Sequence, residues 1–139
     1  MPTVEVSSII MENGKVLIGR SAEGLWEVPT VEVMPFEGIK DAGMRGVFMN
    51  AGITVEPQNV LFVSESIKKE THEHRIVIYL YAKFIKGELK PDNSWSEAVW
   101  VDVRELAKYQ EAMSDLTADG FYKFSLVLRQ SAGRSGAQA

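Results

Sequence analysis

One helical segment, set between two groups of strand-like runs, constrains this chain most. Between residues 37 and 51 the apolar side chains Ile39, Ala42, Val47 and Ala51, with Met44 and Phe48 beside them, recur at three- and four-residue spacings, and Gly52 supplies a stop. Ahead of it, residues 3–11 and 16–20 are strand-like runs on either side of Asn13-Gly14, a pair that favours the tight turn of a hairpin. Residues 25–28 read as a short third strand, stopped by Pro29 because proline has no N–H to give to a ladder. An irregular loop is expected from there to Phe36.

Behind the helix, residues 59–64 and 75–85 read as strands, the second rich in β-branched and aromatic residues, with a polar connection over 68–74. Residues 98–103 form another strand, 104–109 a helical turn, and 117–129 a mostly apolar helix carrying Phe121, Phe124, Leu126, Val127 and Leu128. The order of hairpin, strand, helix, strands and helix implies a mixed sheet with helices packed on it, class α+β. With 139 residues, 45% of them hydrophobic, the chain is the size of one domain, expected over residues 1–130. The small, polar, non-periodic residues 131–139 are expected to be a disordered tail.

Composition narrows the function classes. The chain has no cysteine, so disulfides and thiolate metal sites are excluded. Its net charge of −4 argues against a broad grip on duplex nucleic acid, whereas a small anion needs only a local cluster of donors. The longest apolar run, Ile76 to Ala82, is far too short to span a membrane, and the first residues lack the pattern of a secretory signal. A cytoplasmic protein is expected.

The residues around the helix carry a resemblance. Val31, Glu37, Arg45, Gly46, Val47, Met49, Asn50, Gly52 and Ile53 fall in frame on the slots of a box that runs glycine, five residues, glutamate, seven residues, then Arg-Glu-aliphatic-x-Glu-Glu-x-Gly-aliphatic. Glu37, Arg45, Val47, Gly52 and Ile53 agree with it. The flanking stretches GKVLIGR, GLWEVP and SEAVWVDVREL are similar too, so that residues 3–128 resemble the Nudix (MutT-like) hydrolase family. The resemblance implies an α/β/α sandwich with a mixed sheet around a curved groove, the box helix on one face and the C-terminal helix on the other. It also implies Mg²⁺- or Mn²⁺-dependent hydrolysis of nucleoside-diphosphate-linked substrates, and dimers are common in that family, which makes a homodimer an expectation.

The departures from the box fall on its chemistry. In the family, three glutamates at i, i+3 and i+4 of the helix share one face and hold the metal against a diphosphate. Here those positions are Gly46, Met49 and Asn50, and a thioether or a neutral amide is a poor ligand for a hard cation. The glycine pair after the proline is Thr30 and Val31, a further loop glutamate is Met34, and the next glycine is Phe36. Glu37 and Arg45, the retained catalytic-box residues, are implied to pair with each other and tie the loop to the helix. Gly43 and Gly46 each cost about 1 kcal/mol relative to alanine in a helix, and no local gain legible in the sequence accounts for them.

Scaffold kept and chemistry removed implies a catalytically silent or severely weakened protein, a natural pseudoenzyme or an engineered variant, with no cofactor and a nucleotide-binding or interaction role. The alternative is an active Mg²⁺- or Mn²⁺-dependent hydrolase with substitute metal ligands drawn from Glu37, Glu32, Asp41 and Glu97, with Glu65 near the same groove. The plainer reading of these acids is solvated surface or helix N-terminal charge. Arg20, Trp26, Phe36, Tyr81 and Glu97 are candidate substrate contacts, with Tyr79 and Trp95 as further aromatics. Core packing is the plainer reading of the aromatics. His72 and His74 would share a face if extended and form a metal pair, against a plainer reading as solvent-facing side chains.

Overall fold

The computed structural model describes residues 1–138, with the side chains of residues 1–130. β1 (Thr3–Glu12) and β2 (Lys15–Ser21) form the expected hairpin. Asn13 and Gly14 between them both take positive φ, 52° and 74°, as a turn matched to strand twist requires. β3 (Trp26–Glu27), β4 (Thr30–Glu32), α1 (Ile39–Ala51), β5 (Thr54–Lys68), β6 (Glu73–Lys86), β7 (Trp95–Asp102) and α2 (Asp115–Gln138) follow in order. A 3-10 segment, Val103–Ala112, replaces the expected helical turn before α2. The expected disordered tail, 131–139, lies outside the residues whose side chains are described.

The sheet is mixed. Its main path runs β3-β2-β1-β6-β5, with β4 added to β1 and β7 to β2, and the β1–β6 pair is parallel while the others are antiparallel. Alternation along β6 divides the core between the two helices. Val77 and Tyr79 join Phe124 of α2, whereas Leu80 and Ala82 join Ala42, Val47 and Ala51 of α1. This is an α/β/α sandwich of class α+β, with one helix on each face as the resemblance implies.

Several expectations are corrected. The stretch after Pro29 is not wholly irregular: Thr30 and Val31 are β-branched, and β4 pairs with β1 in the register Glu5↔Glu32, Val6↔Val31, Ser7↔Thr30. α1 begins at Ile39 rather than residue 37, and ends as expected at Gly52, whose φ of 75° lets its N–H reach the Phe48 carbonyl. Met44 and Phe48, beside the periodic set, point outward from α1, 39% and 61% exposed. β5 is longer than expected because it pairs with β6 from Thr54 to Lys68, absorbing Pro57 beside a register shift, as the outer strand of the main path can.

The candidate loop and helix site

The loop between β4 and α1 is fastened by one ion pair. Arg45 Nε donates to Glu37 Oε2 at 2.8 Å and Nη2 to Glu37 Oε1 at 2.9 Å, a bidentate fork. Nη2 also donates to the Glu32 carbonyl at 2.8 Å, and the Met34 N–H donates to Glu37 Oε1 at 3.1 Å. The hydrogen bonds from Arg45 and Met34 hold the Glu37 carboxyl down to about 2. Both oxygens of Glu37 are thus engaged within the protein.

The three helix positions beyond it are engaged as well. Gly46 is buried under Val31: a β-carbon there would lie 2.8 Å from Val31 Cβ and 2.9 Å from Cγ1. Asn50, 3% exposed, accepts hydrogen bonds at Oδ1 from Asn93 Nδ2 at 3.3 Å and Ser94 Oγ at 3.2 Å, clamping the segment before β7 to the end of α1. Met49 is exposed, its sulfur 3.7 Å from Arg45 Nη1. The donor set of a hydrogen atom, a thioether and a committed neutral amide does not suit Mg²⁺ or Mn²⁺, the cations the resemblance implies. The two helix glycines are explained by these contacts, since a β-carbon at Gly43 would also meet Leu80 Cδ1 at 3.1 Å. Packing against β4 and β6, rather than local propensity, selects them.

The candidate substitute ligands do not converge. Glu97 pairs with Arg20 at 3.5 Å, Asp41 and Glu32 have exposed side chains, and Glu65 meets His74 at 2.8 Å. Among the described residues, no three His, Asp or Glu side chains gather where they could hold a metal ion. His72 and His74 do not share a strand face: His72 sits in a turn with φ of 55°, and only His74 lies on β6.

Three of the candidate substrate contacts do come together. Arg20 Cζ lies 5.9 Å from the centre of the Trp26 ring and its Nη1 faces Glu97, because β2 pairs with both β3 and β7 at Arg20. Trp26 in turn meets Tyr109 edge to face. Phe36 stands fully exposed in the loop at φ of 64°, and Tyr81 packs partly buried near Ile9 and Val77. Tyr79 and Trp95 are 1% and 4% exposed and offer no stacking face. Trp95 lies over Gly19, where a β-carbon would come within 1.9 Å of the indole ring.

A groove of about 970 Å³ opens between β3, β4, the far ends of β5 and β6, and the start of α2, and of the box residues it takes only Thr30. Sequence reasoning missed its wall residue Glu27. That carboxylate accepts a hydrogen bond from Trp95 Nε1 at 2.9 Å, and burial raises its pKa against the opposing effect of that bond. The alternation of residues 25–28 held the only sequence signal, an acid next to Trp26 on a short strand. The groove's three cations are all paired: Arg75 with Glu5 at 2.6 Å, Lys123 with Asp119 at 3.0 Å, and Lys68 with Glu73 at 3.9 Å. No unpaired cation among these lining residues is left to meet a phosphate.

No family model and no curated protein matches the sequence. Solved structures match the fold closely. A Nudix hydrolase from Nitrosomonas europaea superposes with a TM-score of 0.81 at 17% identity, over 91% of this chain and 90% of that one. A MutT protein from Methanosarcina mazei Go1 gives 0.77 at 24% identity, over 89% and 94%. An ADP-ribose pyrophosphatase from Streptococcus suis gives 0.73 at 20% identity, over 94% and 92%. A bifunctional NMN adenylyltransferase/ADP-ribose pyrophosphatase from Francisella tularensis, complexed with AMP and a manganese ion, gives 0.77 at 14% identity over 94% of this chain and 42% of that one. Sequence flanks, sheet order and these superpositions agree: the chain has the fold of the Nudix hydrolases.

Proposed function

We propose that this Nudix-fold protein does not perform the metal-dependent hydrolysis of its structural neighbours and serves instead as a cytoplasmic small-ligand-binding module, with a nucleotide as its ligand class. The observation that carries the reading is the helix face at Gly46, Met49 and Asn50, which offers a dication no charge and whose one amide oxygen is already shared by Asn93 and Ser94. A dication beside a polyphosphate needs protein carboxylates to hold it, and Glu37, the nearest retained acid in the box, is spent on Arg45 and the Met34 N–H. Nucleotide is the ligand class because two of the neighbours named above are described as ADP-ribose pyrophosphatases and one of those is complexed with AMP. The paired cations of the groove favour recognition of base and sugar over phosphate.

The reading is tested by following backbone amide resonances of the protein as AMP or ADP-ribose is added, once with Mg²⁺ and once with chelator. The expected result is saturable shifts of groove residues such as Glu27 and Thr117 that are the same in both conditions, with the nucleotide recovered intact. Shifts that require Mg²⁺ or are accompanied by nucleotide breakdown defeat the reading of a metal-free binder. Absence of any shift defeats the assignment of nucleotide as ligand.

A further inference from the structure

Val31 and Gly46 stand on two elements that meet face to face, one large where the box has glycine and the other lacking a side chain where the box has glutamate. We propose that they form a reciprocal steric pair that shuts the fold's cation position, so that neither position accepts its box residue while the other is unchanged. The proposal rests on the reading that the chain is not a metal-dependent hydrolase and deepens it by naming what keeps the site closed.

Neither partner has room to yield. Val31 is fixed in β4 by its register with Val6, between the Glu5↔Glu32 and Ser7↔Thr30 pairs, and the Thr30 and Ser7 hydroxyls meet at 2.7 Å. Its β-branch restricts the side chain to few rotamers, so it cannot swing aside freely. Gly46 lies on a helix whose Ala42, Val47 and Ala51 are fully buried and whose Asn50 is hydrogen-bonded to the next segment. A β-carbon at position 46 would come 2.8 Å from Val31 Cβ, closer than non-bonded carbons pack, and a carboxylate there would have to pass the same obstacle. Val31→Gly on its own removes that obstacle but leaves a void above a residue with no side chain.

The pair is tested by thermal unfolding of the parent, Gly46→Ala, Val31→Gly and the double variant. Alanine at 46 is expected to lower the melting temperature by several degrees in the parent and to leave it unchanged or raise it in the Val31→Gly background. If Gly46→Ala does not fold but the double variant does, the coupling is shown in its strongest form. An equal decrease in both backgrounds, no decrease in the parent, or loss of folding only on adding Gly46→Ala to a folded Val31→Gly protein overturns it. A second arm titrates Mn²⁺ alone, read by water proton relaxation, into G46E/M49E and V31G/G46E/M49E. The triple variant is expected to bind at least tenfold more tightly, and recovery of folding only with Val31→Gly supports the same conclusion; equal affinity overturns it. Neither readout involves turnover, so hydrolysis by the parent protein would defeat the functional reading and leave this coupling standing.

Discussion

Glu37 and Arg45 meet as a bidentate pair across eight residues of chain, and the same guanidinium holds the Glu32 carbonyl, so a single side chain of α1 gathers both ends of the loop that precedes it. The pair ties the loop to α1.

The first prediction is a pH dependence. The Glu37 carboxyl is lowered from an ordinary value of 4.5 to about 2, with Arg45 the largest cause and the Met34 N–H the second. A depressed folded-state value contributes stability that is complete above the unfolded value and is lost as pH falls through the folded one. Glu37→Gln should therefore melt below the parent at pH 6, and the gap should shrink between about pH 4.5 and about pH 2. A gap that stays constant over that range would show that the pair does not titrate as described.

The helix glycines give a contrast between neighbours. Gly→Ala in a helix gains about 1 kcal/mol from propensity, while overpacking a filled site costs about 1–3 kcal/mol. At Gly46 the obstacle is the branched carbon of Val31 on a strand, and at Gly43 it is a methyl at the end of Leu80, 3.1 Å away. Both Gly46→Ala and Gly43→Ala should be destabilised in urea unfolding, Gly46→Ala by more because its obstacle is nearer and less able to move. The opposite order would mean that contacts with β4 do not govern this helix.

Asn50 is predicted to matter for stability and not for chemistry. Alanine there removes the acceptor of the Asn93 amide and the Ser94 hydroxyl, both on exposed residues that can turn to water, at a cost of about 1 kcal/mol. The Asp92 and Trp95 amides, which donate to Asn50 O and Asp92 O, should exchange with solvent faster in that variant. Unchanged stability and exchange would leave the clamp without energetic weight.

Glu27 titrates in the other direction. Burial raises its carboxyl above 4.5, the Trp95 hydrogen bond opposes that, and Glu23 adds to it. An acid with a raised folded-state value makes the fold less stable as pH climbs from the unfolded value through the folded one. Glu27→Gln keeps an oxygen to accept the Trp95 N–H and removes the buried charge, so the variant should gain stability over the parent as pH rises above 4.5. Parallel pH profiles for the two proteins would contradict the burial effect.

The hairpin, the end of α1 at Gly52 and the order of strands and helices were legible in the sequence because each rests on local chemistry: Asn-Gly turns, left-handed glycine and the period of apolar residues. β4 was hidden by its length and by the proline before it, and its stability comes from Ser7 and Val6, more than twenty residues away. The helix glycines looked like a pure cost for the same reason, since the residues that require them, Val31 and Leu80, lie on other elements. Box spacing pointed to the loop and helix but gave no hint that Asn50 reaches Asn93 and Ser94, or that the groove is walled by Glu27 and α2. Such contacts depend on how distant segments meet.

The measurement that bears most directly on the central claim is release of phosphate or pyrophosphate from a panel of nucleotides and nucleotide sugars by the purified, folded protein, with Mg²⁺ or Mn²⁺ and with chelator. The account predicts no metal-dependent turnover from any member of the panel, because Gly46, Met49 and Asn50 leave a dication nothing to bind. Turnover that appears with the metal and disappears with the chelator would contradict it.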